Sequence, residues 1–540
     1  MSTQPARFHV LIADELSARA VEVLKAHPEI EVRVQTGLKG DALKEALAGV
    51  DALAVRSATK VTADVIAAAK ALRVVGRAGI GVDNIDVKAA SRRGVIVMNT
   101  PSGNAVTTAE HALCLLASLA RHIPQATATM KAGKWEKKKF EGTELCDKTL
   151  GVLGLGNIGR IVADRAQGLK MRVVGYDPVL SEAAAAKLGV ELLPLDEVFR
   201  RADFLTVHTP LLPETRGLVG ADAFQKMKQG VLIVNAARGG IVDEAALLDA
   251  LNSGKVAGAA LDVFTEEPPP KEHPVLGALL AHERVIATPH LGASTEEAQE
   301  KVAVEVAEQI AAYLLRGEVR NALNLPAMSS EAQASVHPWL ELGGRIGELA
   351  AQLSGTVEAV TVEVAGEIAA VGAKPIGAAV VAGVLRRHLD EPVNEVNAKL
   401  LAADRGIVVS ETTRAQTAHF TSSLGVRVRG KGGERFVKGT LFHTGGGVEG
   451  RVVQIDSFLL EASPEGRILV LDNLDRPGVI GAVGTLLGAR NINVSRMQVG
   501  LDRPGGAALQ LWNVDVEVDA ATLDAVRAVP NVRSAMVVSL

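Results

Sequence analysis

The sequence predicts an α/β protein whose larger part is built on parallel sheets and whose end is a small α+β unit. Three observations carry that reading. Up to about residue 320, short β-rich runs alternate with helical runs, the rhythm of parallel strands joined by crossover helices. A turn of the form Gly154-x-Gly156-x-x-Gly159 lies between a strand and a helix, the signature of a Rossmann-type doubly wound nucleotide domain. Residues 467–540 read strand, helix, two strands, helix, strand, which is a ferredoxin-like sandwich.

Taken in order, "FHVLIA", "DALAVRS", "LRVVGRAG" and "GVIVMNT" are strands of a first parallel sheet, with "ARAVEVLKA" and "TADVIAAAKA" as helices between them. "NAVTTAEHALCLLASLARHIPQAT" makes one long amphipathic helix, capped by Asn104 or Thr107 and weakened at its far end by Pro124. Its apolar spacing puts Cys114 on the buried face as a core thiol. "TLGVLGLGNIGR", "ADFLTVHTP", "GVLIVNAARGG", "GAALDVF" and "RVIATPH" give a second parallel sheet. From about residue 294 a second long helix runs to Gly317 and can carry the chain back to the first lobe. "NALNLPAMSSEAQA" is rich in turn residues and marks a boundary near 326. Residues 330–455 mix helices with strands around the glycine-rich "GKGGERFVKGTLFHTGGGVEG", and a linker "ASPEGR" precedes the final unit.

The totals bound the function. The chain has 540 residues, enough for three or four domains, and 48% hydrophobic against 22% charged residues predicts folded, well-buried units. With 58 basic and 62 acidic residues well mixed, no basic face advertises nucleic acid or an anionic membrane, so the expected partners are small molecules. Two cysteines, Cys114 and Cys146, are too few for a disulfide scaffold, and the N-terminus lacks a charged start followed by an apolar core. A cytoplasmic protein is expected, with no metal, since no metal-ligand spacing stands out.

The glycines of the turn have distinct physical duties. Gly154 permits the tight turn, Gly156 lets the backbone approach a pyrophosphate, and Gly159 allows the helix, starting at Ile158, to pack on the strand. Asp177 follows at the end of the next strand, about 20 residues on, where its carboxylate would accept from ribose hydroxyls and repel a 2′-phosphate. NAD is therefore favoured over NADP. A structural turn without ligand is the alternative. Arg238 in "VNAARGGIVDE", Glu267 in "LDVFTEEP" and His290 in "ATPHLGAS" follow strand ends, where open α/β sheets hold ligands. Singly they read as a surface cation, a turn carboxylate and a structural histidine. Together they fit oxidation of a secondary alcohol: His290 as base, Glu267 orienting the ring and stabilising its charged form, Arg238 gripping a substrate carboxylate.

In this order and spacing, "TLGVLGLGNIGR", "YDP", "VHTPLLPET", "VNAARGGIVDE", "LDVFTEEP" and "TPHLGAST" resemble the D-2-hydroxyacid dehydrogenases. "AVRSATKVTADVI", "VVGRAGIGVDNID", "MNTPSGNAVTTAEHA" and "GKWEKKKFEGTELCDKTLG" resemble the long-form branch that oxidises 3-phosphoglycerate to 3-phosphohydroxypyruvate, the first step of L-serine biosynthesis. The resemblance implies a nucleotide domain, 101–289, inserted into a flavodoxin-like substrate domain made of 1–100 and 290–320. An α+β intervening domain at 321–455 and a ferredoxin-like ACT regulatory domain at 466–540 would follow. By motif, Arg238, Glu267 and His290 are catalytic, and Gly154, Gly156, Asn157, Ile158, Gly159, Asp177, Thr209, Ala236 and Asp262 contact NAD. Arg56, Arg77 and Asn104 would meet the substrate, and Ile80 is apolar where relatives often carry threonine.

"ILVLDNLDRPGVIGAVGTLLGARNINVSRMQVG" resembles an ACT domain, which implies Asp475 and Asn493 as effector contacts and serine as the effector, with Asn473 standing where some serine-inhibited relatives carry an aromatic residue. Lys438, His443 and Arg451 read as an anion site or, more simply, as a turn-rich sheet edge. The resemblance implies a homo-oligomer, a tetramer. Two other readings stay open: a glyoxylate or hydroxypyruvate reductase of the same family, and an NAD-sensing interaction protein on the same fold.

Overall fold

A computed structural model describes residues 8–540 apart from 390, 418, 432 and 446. The first seven residues of the N-terminal stretch, and two glycines of the glycine-rich patch, lie outside the described residues. Four sheets organise the chain.

The first contains β1 (Phe8–Ile12), β2 (Ile30–Val34), β3 (Ala52–Val55), β4 (Val74–Arg77) and β5 (Ile96–Asn99), in the order β2-β1-β3-β4-β5 with every neighbour parallel. This is the flavodoxin-like order. Helices Ala18–Lys25 and Glu296–Arg316 cover one face, where Val302, Val306 and Ile310 join Val10, Ile12 and Val74 in one core. Close approach requires Gly76: a Cβ there would lie 2.6 Å from Val306 Cγ2. Helix Glu296–Arg316 is capped by the Thr295 side chain and stops at Gly317, whose φ of 68° is left-handed.

The second sheet contains β6 (Thr149–Leu153), β7 (Arg172–Tyr176), β8 (Glu191–Leu192), β9 (Phe204–Val207), β10 (Val231–Asn235), β11 (Val256–Leu261) and β12 (Val285–Ala287). Its order, β12-β11-β10-β9-β6-β7-β8, reverses at β6/β9, which is the Rossmann arrangement with its switch point at the glycine turn. Helix Ala105–Ala120 lies on this sheet, burying Ala109, Ala112, Leu116 and Leu119.

Three local expectations are corrected. The long helix divides at His122, whose φ is 52°, and a second helix, Ile123–Lys131, starts there with Pro124 in its first turn, where a missing N–H costs nothing. Cys114 is exposed, because the sheet-facing stripe runs through Ala112, Leu115 and Leu116 and leaves position 114 on the outer side. The glycine-turn helix begins at Asn157, one residue before Ile158.

The third sheet contains β13 (Ala359–Gly366), β14 (Val408–Arg414), β15 (Ser422–Gly430), β16 (Gly433–Thr444), β17 (Gly447–Ile455) and β18 (Phe458–Ala462), in the order β14-β13-β15-β16-β17-β18. Only β13/β14 is parallel. Helices Ser330–Ser354 and Ala369–Arg386 pack on it. The second is long and apolar enough to cross a membrane by length and composition, yet 67% of it is buried in this protein's own core.

The fourth sheet contains β19 (Arg467–Leu474), β20 (Val494–Leu501), β21 (Ala507–Val514) and β22 (Val532–Ser539), antiparallel in the order β20-β21-β19-β22. Leu469, Leu471 and Trp512 face the helices Val479–Gly488 and Ala520–Arg527. Ile468, Val470, Leu509, Leu511 and Val538 face the other way and join the core of the third sheet. The linker before this unit therefore hides a merger: the two C-terminal sheets share one hydrophobic core. Gln352 bonds Ser539 in both directions beside it, at 2.9 and 3.2 Å.

Candidate functional site

The glycine turn is built as its spacing requires. Gly154 has φ 88°, and a Cβ there would lie 2.7 Å from the His208 carbonyl oxygen. A Cβ on Gly159 would lie 1.9 Å from the Gly154 carbonyl oxygen, so this position holds helix against strand. A Cβ on Gly156 would meet nothing within 4 Å: the turn is open there. Asp177 ends the next strand and ties the turn down, its Oδ2 accepting from the Leu155 amide at 2.8 Å and its Oδ1 from Val179 and Leu180 at 3.0 and 3.2 Å. Thr209 faces the same turn with a buried Oγ1 that has no partner. Its neighbour His208 is buried, which pushes its pKa down to about 4 and leaves it neutral. Asn157 Nδ2 reaches the Pro101 carbonyl oxygen at 3.2 Å and so links the turn to the segment joining the lobes.

On the facing lobe, Asp14 accepts from the Arg56 and Thr59 amides at 2.6 and 3.2 Å and from the Thr59 hydroxyl at 2.6 Å, shaping the loop that presents Arg56. Arg77 ends β4. Burial first, then the neighbouring Arg238 and Arg56 guanidinium groups, push its pKa down to about 10 against the pull of Asp83 and Asp14. It stays a cation at neutral pH, and its buried Nε has no partner. Arg238 follows β10 through a turn in which Asn235 bonds the Arg238 carbonyl and the Ala237 amide at 3.0 and 3.1 Å. Its Nε donates across the lobes to Asp83 at 2.9 Å, and its guanidinium lies over Gly81, where a Cβ would come within 1.6 Å of it. Three guanidinium groups from both lobes thus converge on one cleft. Asn104, before the first turn of helix Ala105–Ala120, is 8% exposed, makes no side-chain cap and leaves its buried Oδ1 unpartnered.

The base site is next to it. Gly239 packs so closely on the Phe264–Thr265 turn that a Cβ would lie 1.9 Å from the Phe264 carbonyl oxygen, which couples the Arg238 loop to the Glu267 loop. Glu267 Oε1 accepts from the Phe264 amide at 3.0 Å, and Oε2 pairs with His290 Nδ1 at 2.7 Å. Burial pushes the Glu267 carboxyl up, but the bonds from His290 and Phe264 outweigh it and hold it below the usual range. His290 has φ 53°, and its side chain is half exposed.

Asp262 has no exposed surface at all. It accepts from the Thr288 hydroxyl at 2.6 Å, the Leu291 and Gly292 amides at 2.7 and 2.9 Å and His111 Nε2 at 3.1 Å. Burial pushes its carboxyl up, and the His111, Thr288 and Leu291 bonds bring it below its ordinary value. Its four partners make it the anchor of the His290 loop. Ala236, 5% exposed, and Ile158, partly buried against the core, line the nucleotide lobe as backbone and apolar wall.

Sequence reasoning missed Asp83, Asp14 and His111. Of these only His111 left a signal, a polar residue beside the buried face of helix Ala105–Ala120. The C-terminal pair is not brought together within one chain. Asp475 follows β19 and accepts from the Gly505 amide at 2.9 Å, while Asn493 precedes β20; the register pairs Leu474 with Ala507 and Val494 with Val514, at opposite ends of β21. Lys438 and Arg451 lie on β16 and β17, and Arg451 is paired with Glu449. Among the described residues no group of three His, Cys, Asp or Glu is placed to hold a metal ion.

Three family models match in sequence. Residues 113–292 match the NAD binding domain of D-isomer specific 2-hydroxyacid dehydrogenases, 335–456 the D-3-phosphoglycerate dehydrogenase intervening domain, and 467–531 the ACT domain. The chain is 44% identical to the D-3-phosphoglycerate dehydrogenase of Archaeoglobus fulgidus, over 94% of this chain and 95% of that one. It is 42% identical to the enzyme of the same name from Bacillus subtilis, over 99% and 100%. Among solved structures, a glyoxylate reductase from Paecilomyes thermophila matches at 30% identity and TM-score 0.54, covering 59% of this chain and 99% of its own. D-lactate dehydrogenase from Escherichia coli matches at 27% identity and TM-score 0.52, over 58% of this chain and all of its own. The dehydrogenase core is thus shared widely, whereas the intervening and ACT domains are shared with the full-length relatives, and the chain belongs to the D-3-phosphoglycerate dehydrogenases.

Proposed function

We propose that this chain oxidises 3-phosphoglycerate to 3-phosphohydroxypyruvate with NAD, the step that opens L-serine biosynthesis, under control of a small-molecule effector at its ACT domain. The observation that carries the reading is that Arg238 reaches Asp83 and Gly81 on the lobe that bears Arg56 and Arg77, from a loop packed on the turn that carries Glu267 to His290. A substrate with a carboxylate, a phosphate and a secondary hydroxyl needs cations at two places and a base at a third.

The nucleotide lobe fits NAD: Gly156 leaves room for a pyrophosphate, Thr209 offers an unsatisfied hydroxyl, and Asp177 stands at the ribose end of the turn. Gly154, Asn157, Ile158, Gly159, Ala236 and Asp262 complete that wall. When bound, NAD supplies the hydride acceptor. The chain's own residues do the rest. Glu267 stays ionised and accepts a hydrogen bond from His290 Nδ1, which selects the tautomer whose Nε2 lone pair is open to the substrate hydroxyl. That nitrogen takes the hydroxyl proton as the alcohol becomes a ketone. Arg238 holds the carboxylate and polarises the oxygen that changes charge, exchanging Asp83 for substrate. Arg56 and Arg77 take the phosphate, and Asn104 adds a hydrogen bond from the lobe junction.

The same reading divides the chain into 1–100 with 290–320 as substrate lobe, 101–289 as NAD lobe, 321–455 as intervening domain and 466–540 as ACT domain. It makes the protein a cytoplasmic homotetramer, with both cysteines free. Serine is the effector; since Asp475 and Asn493 lie at opposite ends of one sheet, they meet on a ligand only when two ACT domains pair. The test is nicotinamide absorbance with NAD and 3-phosphoglycerate, the keto product chemically trapped, set against unphosphorylated glycerate and run with and without serine. Turnover that needs the phosphate and falls with serine is expected. Equal use of glycerate would remove the roles of Arg56 and Arg77 and favour a hydroxypyruvate reductase.

A further inference from the structure

A cavity of about 1040 Å³ lies at the far end of the first sheet from the arginine cluster, between the substrate lobe and the intervening domain. Its walls come from the segments that lead into β4 and β5, from the end of helix Glu296–Arg316, and from helices Ser330–Ser354 and Ala369–Arg386. The body of the wall is apolar, with Leu72, Ile96, Tyr313, Met328 and Pro375. Six Lys and Arg side chains line it against three Glu, and three of the six, Arg316, Arg345 and Arg386, pair with Glu318, Glu465 and Glu348. Among the described residues, no carboxylate pairs with Lys70, Arg73 or Arg93. Arg73 is held instead between two rings, its guanidinium carbon 5.6 Å from the Phe8 centroid and 5.3 Å from that of Tyr313.

The seam around the cavity is pinned at one side by polar contacts, beside Val396, which packs against the core of the first sheet. Asn394 Nδ2 donates to the Gly94 carbonyl at 2.7 Å, and Arg92 pairs with Asp404 at 2.7 Å. The cavity thus persists as a gap between two bodies tied together next to it. Apolar walls with unpaired cations describe a receptor for an organic anion.

We propose that this cavity binds an organic anion with an apolar body, distinct from substrate, NAD and the ACT effector. Occupancy bears on the reaction through rigid elements. Leu72 and Arg73 lead directly into β4, whose last residue is Arg77, so a ligand seated against one end of the strand fixes where the other end presents its guanidinium to substrate.

The probe is 8-anilino-1-naphthalenesulfonate, an aromatic sulfonate whose fluorescence rises in apolar sites, titrated into the intact protein at saturating NAD so that the nucleotide site is blocked. One variant fills the space: Gly344 lines the cavity, and a Cβ there meets only Ala379 O at 3.9 Å and Arg386 at 4.0 Å, so Gly344→Phe can grow into it. The other, Arg93→Gln, removes an unpaired cation and keeps a polar, shorter side chain. The expected result is an NAD-insensitive site whose Kd rises about tenfold in Arg93→Gln and whose signal disappears in Gly344→Phe. With the dye present, the KM for 3-phosphoglycerate shifts in the parent protein and not in Gly344→Phe. Binding displaced entirely by NAD, or unaffected by both variants, overturns the proposal, as does absence of any NAD-insensitive signal because another copy covers the cavity. Should Gly344→Phe fail to fold by circular dichroism, the Arg93→Gln titration decides alone. None of these outcomes depends on whether 3-phosphoglycerate turns over, apart from the KM comparison.

Discussion

Replacing Glu267 by Gln tests the base assignment most directly. Glu267 accepts at both oxygens, from the Phe264 amide at 3.0 Å and from His290 at 2.7 Å. An amide has one oxygen, so either orientation of the substituted side chain loses a bond: the NH2 group faces the Phe264 N–H, or it faces His290 Nδ1 and forces the proton to Nε2, where the substrate hydroxyl needs a lone pair. Loss of one charge-assisted hydrogen bond is worth about 1.5–3 kcal/mol, or roughly 10- to 100-fold in rate at 1.36 kcal/mol per decade. The tautomer error pushes toward the upper end. The half-exposed ring, which water can partly re-solvate, holds the loss below the ~10⁴-fold ceiling of acid–base catalysis. We expect kcat for 3-phosphoglycerate oxidation in Glu267→Gln to fall about 100-fold at neutral pH, with KM unchanged within about twofold because Glu267 faces His290 rather than substrate. Steady-state absorbance assays with the keto product trapped read both constants. A kcat within about threefold of the parent, or a loss that appears wholly in KM, would refute the reasoning.

The glycine turn gives a paired prediction: Gly156→Ala should leave the melting temperature of the NAD-free protein unchanged and raise KM for NAD about tenfold, since its Cβ meets only open space, whereas Gly159→Ala should lower the melting temperature outright because its Cβ would lie 1.9 Å from a backbone oxygen. Arg77→Gln should raise KM for 3-phosphoglycerate by about 10- to 100-fold, the worth of a charge-assisted bond, and change weak turnover of glycerate little; equal losses on both substrates would place Arg77 elsewhere. Asp262→Asn puts an NH2 group among four donors and should cost about 2–4 kcal/mol locally, read as faster hydrogen exchange over residues 288–292. Because the Asp262 carboxyl is held below its ordinary value of about 3.9, its contribution is complete above that pH and is lost as pH falls through the lower folded value. The exchange difference between parent and variant should therefore hold at pH 5 to 7 and shrink under stronger acid, and a difference that grew on acidification would reverse the sign argued here.

The glycine turn and the strand ends that carry the candidate residues were legible because each rests on a local rule. Glycines 154, 156 and 159 have duties that follow from spacing alone, and Arg238, Glu267 and His290 each follow a short β-rich run in the order a parallel sheet needs. What escaped is long-range. Asp83 comes from the other lobe to meet Arg238, 155 positions away, and no period in either segment announces it. Asp262 reads as an acid at a strand end and turns out fully buried, because the loop that supplies its donors arrives only after the next strand. Cys114 departs from expectation for the opposite reason: an alanine- and leucine-rich helix is apolar on nearly every side, so its composition does not say which side meets the sheet. One long-range feature did leave a trace. "ILVLDN" is apolar at successive positions, not alternate ones, the pattern of a strand buried on both faces, and β19 does send Ile468 and Val470 one way and Leu469 and Leu471 the other.

That two-sided burial decides how a signal from the ACT domain can travel. The ACT sheet and the third sheet share a close-packed core, reinforced by Gln352 and Arg387 bonding Ser539. Such interiors resist deformation and move as one body. The next junction outward is mixed: it is tied by Asn394, Asn397 and the Arg92–Asp404 pair, with Val396 packed on the first sheet's core, and it encloses the cationic cavity. Polar seams with space inside them can adopt more than one spacing at modest cost, whereas the core behind them cannot. Under the proposed pairing of ACT domains, effector binding would reach the dehydrogenase as a rigid displacement of the whole C-terminal body, with the compliance at the seam, against Arg73 and the start of β4. Arg77, proposed to meet the substrate phosphate, ends that strand, so control of this enzyme should act first on substrate affinity and only second on Glu267, which stands in the other lobe, and on its partner His290.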